Sequence, residues 1–276
     1  MTQPILLITG CSSGIGRHCA EGMARRGWRV IASARHPEDV RALQDAGFET
    51  LRIDMDSSQS LQEGVLQLLG RTGGRIDAVF LNAGFGQPGA VEDLPRQAMR
   101  EQFETNVFGA IELTNLLLPA MRRAGRGRIV FNSSVLGFAA MQFRGAYNAS
   151  KFALEGFADT LRLELAGTGI HVCLIEPGPV VSQFRANALK AFHRHIRAEN
   201  SPHRHRYQAQ LARLNASRSN TPFTVGPEAV LRRLVHACEA HRPQARYPVT
   251  FPTYLFALLK RILPTRWLDA ILRRAA

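Results

Sequence analysis

The chain has 276 residues and 45% of them are hydrophobic, which excludes both a disulfide-stapled miniprotein and a disordered polypeptide. Its formal net charge of +13 is unevenly distributed, because residues 1–184 hold 18 basic and 18 acidic side chains, whereas residues 185–276 hold 17 basic and 4 acidic ones. Four scattered cysteines without a Cys-x-x-Cys pair indicate reduced thiols in a cytosolic protein and argue against a zinc site.

Short runs rich in Val, Ile and Leu alternate with amphipathic segments along the first two thirds of the chain. The predicted strands are residues 5–9, 29–34, 49–54, 78–82, 127–133 and 171–176. The predicted helices are residues 14–26, 57–69, 103–123 and 147–166. Continuously apolar strands that alternate with helices are typical of a parallel sheet covered on both faces. We therefore predict an α/β protein with a single Rossmann-type, doubly wound parallel sheet.

The sequence changes character after Pro177. Residues 182–222 are polar and rich in Arg and His, and residues 183–222 are expected to form a substrate lid within a domain of residues 1–245. Residues 226–240 resemble one more helix. Residues 246–276 form a basic, amphipathic C-terminal tail, in which residues 253–274 predict two short helices broken at Pro264.

The first predicted strand runs into a glycine-rich segment. Glycines permit a tight turn there, and the N–H groups at the start of the next helix can bind a pyrophosphate. A plain strand-to-helix turn is the alternative. The residues of this candidate cofactor loop are Gly10, Ser12, Ser13, Gly14, Ile15 and Gly16.

The ends of the next three strands carry further candidates. Arg35 follows the second strand, where a guanidinium suits a 2′-phosphate, so NADP(H) is favoured over NAD(H); an ordinary solvated arginine is the alternative. Asp54 closes the third strand and could equally cap the helix that starts near Ser57. The Asn82-Ala83-Gly84 segment closes the fourth strand and could be a turn alone.

Ser134, Tyr147 and Lys151 form the strongest candidate catalytic group. Tyr147 and Lys151 lie four residues apart and would share one face of a helix. The chain has three Lys among 35 basic residues, so a lysine at this position indicates a need for a compact ammonium group. A nearby cation is expected to lower the pKa of Tyr147 and make it a usable general acid or base. Ser134 ends the fifth strand, at the sheet edge where such folds bind ligands.

These residues resemble the short-chain dehydrogenase/reductase family. The match extends across residues 4–182, in the family's order and with similar spacing. It consists of Thr9-Gly-x-x-x-Gly14-x-Gly16, Asn82-Ala-Gly84, Asn106, Ser134, Tyr147-x-x-x-Lys151 and Pro177-Gly178. The overall pattern is similar to the steroid- and retinol-active branch of the family.

The resemblance implies a role for each matched position. Tyr147 would exchange the proton, Ser134 would hold the substrate oxygen, and Lys151 would bind the nicotinamide ribose and tune Tyr147. Asn106 would support a water relay behind the lysine. The cofactor would also be contacted at Asp54, Asn82, Pro177, Gly178 and Ser182, the last of which stands where the family often has threonine.

A lipophilic aldehyde, ketone or secondary alcohol is the expected substrate, because the positions expected around the site are apolar. They are Leu136, Phe138, Met141, Phe143, Phe184 and Phe192, with core packing as the alternative. His193-Arg-His195 and His203-Arg-His205 have loose metal-ligand spacing, but no carboxylate or cysteine cluster accompanies them, and no metal site is expected.

The tail permits a peripheral contact with the inner face of a membrane, since apolar positions at helical spacing alternate there with Lys and Arg. Docking of the tail on the domain is the alternative. The resemblance makes a homodimer or homotetramer the expected assembly, and no specific nucleic acid is expected, since no recognition motif is present. A non-catalytic NADPH-binding regulator or scaffold at a membrane surface remains the alternative to an NADP(H)-dependent oxidoreductase.

Overall fold

A computed structural model describes residues 3–215 and 221–274. Its centre is a seven-stranded sheet with the order β3-β2-β1-β4-β5-β6-β7, in which all neighbouring strands run parallel. The strands are β1 (Ile5–Ile8), β2 (Arg29–Ala34), β3 (Glu49–Arg52), β4 (Ala78–Leu81), β5 (Gly127–Asn132), β6 (Ile170–Glu176) and β7 (Arg246–Pro248). The strand order reverses between β1 and β4, which is where folds of this kind bind dinucleotides.

Helices cover both faces of the sheet. They are α1 (Gly14–Arg25), α2 (Pro37–Asp45), α3 (Ser58–Arg71), α4 (Arg96–Phe103), α5 (Gly109–Ala124), α6 (Gly145–Glu164), α7 (Phe184–His195), α8 (Arg204–Asn215), α9 (Glu228–Glu239), α10 (Phe251–Ile262) and α11 (Thr265–Leu272). A single π-helical turn (Glu104–Phe108) joins α4 to α5.

The core has two halves because successive residues of each strand face opposite sides of the sheet. In β1, Leu7 packs with the side chains of α3, α5 and α6, whereas Leu6 and Ile8 pack with those of α1 and α9. All three side chains are fully buried. This two-sided burial explains why the strands read as continuous apolar runs, and it fixes the carboxyl ends of the strands at one edge.

The predicted Rossmann-type sheet is confirmed, and its six predicted strands are all present. Helices α2 and α4 and strand β7 were not predicted. Helix α2 is short and begins at Pro37, a common first helical residue, with Glu38 and Asp39 in its first turn. Strand β7 is only Arg-Tyr-Pro, which lacks the apolar run of a central strand. The weakly periodic segment 182–222 contains helices α7 and α8.

The C-terminal tail packs on the domain. The expected domain boundary at residue 245 falls immediately before β7, the last strand of the sheet. Helices α10 and α11 form, as predicted, on either side of Pro264. Phe256 and Leu272 are buried in a small cluster with Ala139, just after the fifth strand. The tail is therefore anchored beside the segment that carries Ser134.

Candidate active site

The glycine-rich loop leaves β1 and turns directly into α1. Gly10 and Gly14 have φ values of +69° and +57°, which side-chain-bearing residues rarely adopt. A Cβ atom on Gly16 would lie 2.2 Å from the carbonyl oxygen of Gly10. No acidic side chain lies in the first turn of α1, and Ser13 makes no capping hydrogen bond. The start of α1 is therefore suited to an anion such as a pyrophosphate.

Asn82 locks the glycine loop to the end of β4. Its Nδ2 donates to the carbonyl oxygens of Thr9 (2.9 Å) and Gly10 (3.1 Å). In return, the Thr9 hydroxyl accepts from the backbone N–H groups of Asn82 and Ala83, both at 3.0 Å. Asn132 at the end of β5 donates to Asn82 Oδ1 at 2.9 Å. The expected cofactor residues on these two loops thus form one rigid unit.

Arg35 and Asp54 follow the carboxyl ends of the adjacent strands β2 and β3. The exposed Arg35 directly follows β2, with its guanidinium 3.9 Å from the Asp56 carboxylate. Asp54 accepts a hydrogen bond from the backbone of Asp56 at 3.2 Å. The capping role left open for Asp54 belongs instead to Ser57, whose hydroxyl accepts from the backbone of Ser60.

Ser133 and Ser134 have different partners although they are adjacent. The hydroxyl of Ser133 donates to the buried carboxylate of Glu155. The hydroxyl of Ser134 lies 3.4 Å from the carbonyl oxygen of Pro177 and is hydrogen-bonded to the Tyr147 side chain. Of these two serines, Ser134 is therefore the one that faces the tyrosine.

Tyr147 and Lys151 lie on the first turns of α6 with their side chains together. The ammonium nitrogen of Lys151 is 5.7 Å from the centroid of the Tyr147 ring. The same ammonium donates to the carbonyl oxygen of Asn132 at 2.7 Å. Both side chains are buried, with Tyr147 only 9% exposed. The lysine is thus held between the tyrosine and the end of β5.

Burial shifts the pKa values of both groups. It raises the pKa of Tyr147 to about 12, and the Ser134 hydrogen bond and the Arg144 charge offset only part of that rise. It lowers the pKa of Lys151 to about 8, against the attraction of Glu155. The expectation that Lys151 lowers the pKa of Tyr147 is therefore not met, because loss of hydration dominates and the cation that offsets part of it is Arg144. A phenol of this kind is protonated at neutral pH and can act as a proton donor.

Asn106 lies in the π-helical turn between α4 and α5. Such turns often occur at functional sites because they redirect a side chain. Its Nδ2 donates to Phe85 O (3.0 Å) and to the Ser150 hydroxyl (3.1 Å), and its Oδ1 accepts from Phe85 N (3.1 Å). Ser150 in turn donates to the carbonyl oxygen of Tyr147 at 2.8 Å. Asn106 thus braces the start of α6.

The segment after β6 closes over this edge of the sheet. Pro177 accepts a backbone hydrogen bond from Val135 at 2.8 Å. Gly178 is packed so closely that a Cβ atom would lie 2.1 Å from the hydroxyl of Thr250. A Cβ on Gly14 would meet the Cβ of Ser182 at 3.1 Å. The Pro177–Ser182 segment therefore lies directly against the glycine loop.

The candidate substrate residues divide into two groups. Phe184 lies on Tyr147, with ring centroids 5.2 Å apart, and Leu136 follows Ser134 in a short 3-10 turn. Met141 accepts a hydrogen bond from Asn148 at its carbonyl oxygen. Phe143 and Phe192 instead pack with Tyr207 of α8 in a satellite core, so the structure does not bring them to Tyr147. Phe138 packs against the tail cluster.

Two of the histidines with loose metal-ligand spacing each bind a different carboxylate. His195 pairs with Glu101 at 3.0 Å, and His203 pairs with Glu92 on another segment. Among residues 3–215 and 221–274, no group of three or more potential ligands could hold a metal ion.

Several supporting residues were missed by the sequence analysis. Asn132, Ser150 and Glu155 contact the candidate catalytic residues or their immediate neighbours, yet each lies inside an ordinary strand or helix pattern. Glu155 could have been identified from the sequence, because it follows Lys151 by four residues and so shares its helix face.

Comparison with known proteins agrees with this geometry. A family model described as short chain dehydrogenase matches residues 4–191. The uncharacterized oxidoreductase YbbO of Escherichia coli strain K12 is 40% identical over 280 residues, which cover 98% of this chain and 94% of that protein. Human 17-beta-hydroxysteroid dehydrogenase type 1 is 32% identical over 274 residues, which cover 95% of this chain and 81% of that protein.

A solved structure shows the same architecture. A variant of actinorhodin polyketide ketoreductase with NADPH aligns with a TM-score of 0.73 at 28% identity, covering 90% of this chain and 95% of that one. The human relative confirms the expected similarity to the steroid-active branch. On the family model, the long relatives and the Rossmann-type sheet, the chain belongs to the short-chain dehydrogenase/reductase family of NAD(P)-dependent oxidoreductases.

Proposed function

We propose that this protein is an NADP(H)-dependent oxidoreductase that interconverts a carbonyl and an alcohol on a small lipophilic substrate. The observation that carries the proposal is the convergence of Ser134, Tyr147 and Lys151 at one sheet edge, with Asn106 bracing their helix. A protein that only senses a dinucleotide has no need of this hydroxyl, phenol and ammonium group. The set therefore favours turnover over the alternative of a non-catalytic regulator.

The residues at the edge fit a nicotinamide dinucleotide. Gly10, Gly14 and Gly16 let this loop fold tightly, because a Cβ atom on any of them would press on neighbouring protein atoms, and the start of α1 presents its N–H groups there. Asn82 would hold this loop in shape, and Lys151 would bind the nicotinamide ribose. Pro177, Gly178 and Ser182 would line the nicotinamide side.

A preference for NADP(H) is supported by the charge at the end of β2. Arg35 is exposed there, where a carboxylate would repel a 2′-phosphate and a guanidinium can pair with it. Its nearest acidic partner, Asp56, is 3.9 Å away and is itself close to Thr105. The arginine can therefore turn to a phosphate without leaving a tight ion pair.

The chemistry of the chain's own residues follows from their hydrogen bonds. When bound, the reduced nicotinamide supplies a hydride to a carbonyl carbon. Ser134 and Tyr147 donate hydrogen bonds to the carbonyl oxygen, where negative charge develops. Tyr147 then gives its proton to that oxygen, since a phenol with a pKa of about 12 is protonated at neutral pH. Oxidation of an alcohol is the reverse.

The lining of the site supports a lipophilic substrate. Phe184 packs edge-on against the Tyr147 ring, and Leu136 is buried close to Ser134 in sequence. Met141 lies between Leu136 and α6 in sequence and is half-buried. An apolar aldehyde, ketone or alcohol would exchange water for these side chains and gain the free energy of apolar burial.

Self-association is part of the proposal. The helices that follow β4 and β5 expose Phe108, Phe157 and Leu163 to solvent. Large apolar side chains on neighbouring helices are suited to a second copy of the chain. We propose a homodimer or homotetramer built through this surface.

Cofactor binding tests the proposal. The affinities of the purified protein for NADPH and NADH would be measured by fluorescence titration, then repeated with Arg35→Glu. We expect tight NADPH binding that Arg35→Glu weakens by about tenfold or more, because a charge-assisted pair is replaced by repulsion. NADH binding should change little, and Arg41→Glu, on the nearby helix α2, serves as a matched charge control.

Two results would contradict parts of the proposal. Equal affinity for both cofactors, unchanged by Arg35→Glu, would remove the role of Arg35 and the NADP(H) preference. Binding of neither cofactor would overturn the proposed oxidoreductase activity and favour a scaffold role for the basic tail.

A further inference from the structure

Helix α10 has two apolar faces, and only one of them is covered. Phe256 is buried against the domain, together with the half-buried Leu259. On the opposite face, an exposed stripe consists of Phe251, Tyr254, Leu255, Leu258 and Ile262. With 3.6 residues per turn, these five positions fall within an arc of about 100°. An amphipathic helix that docks on its domain should present polar side chains there instead.

Exposed apolar side chains also occur on the elements next to α10. On α11, Trp267 is 68% exposed and Ile271 is also exposed, while Leu272 on the same helix is buried. At the other end, the ring of Phe223 lies 5.0 Å from that of Phe251, and both are exposed. We call the surface made by the α10 stripe, Trp267, Ile271 and Phe223 the tail face.

Phe223 is held at the tail face by a costly backbone conformation. Its φ value is +60°, a region that bulky residues rarely adopt and that costs on the order of 1 kcal/mol or more. Because Phe223 is 58% exposed, it gains only part of the free energy of apolar burial in the free protein. Strain of this kind at an exposed aromatic residue is typical of a contact surface.

The charges around the tail face are almost all positive. Residues 251–274 contain five basic side chains and one acidic side chain, Asp269. Arg261, Arg266 and Arg273 are exposed on the same two helices. The guanidinium of Arg233 donates to the Tyr254 hydroxyl at 2.8 Å, which places another cation at the margin. The surface thus combines an apolar centre with a cationic rim.

We propose that the tail face docks on an anionic lipid surface. Apolar side chains such as Leu258 and Trp267 would enter the acyl–headgroup boundary, and the rim cations would meet anionic headgroups. A second copy of the chain is a poorer occupant, because pairing two tail faces would bring two cationic rims together. Within residues 3–215 and 221–274 no helix is long and apolar enough to cross a bilayer, so the contact is peripheral.

Docking in this way would turn the active site towards the lipid. Phe223 lies beside the strand-like bridge between Val180 and Val225, and the exposed Val181 donates its backbone N–H to Val225. Ser182 follows directly at the glycine loop. This orientation rests on the proposed function, since it would let a lipophilic carbonyl enter from the membrane.

Vesicle flotation tests the proposal without cofactor or substrate, so its outcome is independent of enzymatic activity. The full chain would be mixed with vesicles of phosphatidylcholine alone or with added phosphatidylglycerol. We expect recovery with the anionic vesicles only. Leu258→Gln should weaken vesicle binding by about tenfold. The double variant Arg261→Gln, Arg266→Gln should weaken it by about fivefold for each charge removed.

Leu66→Gln is the control, because Leu66 on α3 is an exposed leucine (75%, against 55% for Leu258) that does not belong to the tail face. It should leave recovery unchanged. Circular dichroism melting would establish that each variant is folded. Equal recovery of Leu258→Gln and the unaltered chain would overturn the proposal. The proposal would also be overturned if the chain were not recovered with lipid and Leu258→Gln abolished self-association in a sedimentation experiment. That result would assign the tail face to a second copy of the chain.

Discussion

Two adjacent hydroxyl groups at the end of β5 have separate tasks. Ser133 is bound to Glu155 in the interior, whereas Ser134 is bound to Tyr147 at the sheet edge. The alternation of side chains along an extended backbone sends neighbours to opposite sides. The 13-residue spacing to Tyr147 could select Ser134 from the sequence, but the partner of Ser133 could not be predicted.

This difference predicts opposite effects of two minimal substitutions. Ser134→Ala removes a donor to the developing oxyanion and should lower kcat by about 10²- to 10³-fold with little loss of stability. Ser133→Ala removes the hydroxyl donor of the buried Glu155 Oε1, although Arg246 still donates to Oε2, and should cost about 1–3 kcal/mol of unfolding free energy while most of kcat remains. Steady-state kinetics and urea unfolding of both variants would test this, and a larger kcat loss in Ser133→Ala would contradict the assignment.

The spacing of Tyr147 and Lys151 predicted their contact but not their pKa values. Helical periodicity brings residues four apart onto one face, whatever the rest of the fold. The degree of burial depends on β5, α7 and the tail, which come from distant parts of the chain. Burial is the larger effect here, so it raises the pKa of Tyr147 and lowers that of Lys151.

At the scale of elements, β7 brings a single arginine to three carboxylates. Arg246 lies 3.0 Å from Glu155, 2.7 Å from Asp159 and 3.1 Å from Glu176. Glu176 is nearly fully buried at the end of β6, and burial together with the Glu155 charge raises its pKa to about 8. This cluster joins β6, β7 and α6 directly behind the candidate catalytic residues.

The raised pKa of Glu176 predicts a pH-dependent stability. The folded-state pKa of Glu176 exceeds the ordinary value of 4.5. Its stabilising contribution to the unfolding free energy is therefore fully present below pH 4.5 and is lost as the pH rises towards about 8. Glu176→Gln cannot titrate and should therefore flatten the fall in unfolding free energy over this range. Urea unfolding at a series of pH values would measure it, and identical pH profiles for the two proteins would contradict the assignment.

The sequence predicted the apolar strands and the strongly amphipathic helices better than the polar or irregular elements. Apolar runs such as those of β1 and β5 follow from burial on both faces, so they can be recognised locally. The π-helical turn at Asn106 and the edge strand β7 depend on tertiary contacts instead. Their side-chain patterns carry no periodicity that would reveal them.

At the scale of the whole molecule, the charge distribution and the fold agree. The electrically balanced first two thirds form six of the seven strands, and the basic last third forms α7 to α11 and β7. The sequence predicted the sheet, the glycine loop and the candidate catalytic group, because each depends on local motifs in a known strand order. It could not distinguish which face of α10 docks and which stays exposed, since both faces are apolar.

The central claim is that Tyr147 donates the proton during reduction of a lipophilic carbonyl. It is tested most directly by NADPH oxidation in the presence of apolar aldehydes and ketones, comparing the unaltered protein with Tyr147→Phe. We predict turnover by the unaltered protein and a loss of about 10²- to 10⁴-fold in Tyr147→Phe, with NADPH affinity unchanged. Equal rates for the two proteins would contradict the claim, as would NADPH binding without oxidation for every carbonyl tested.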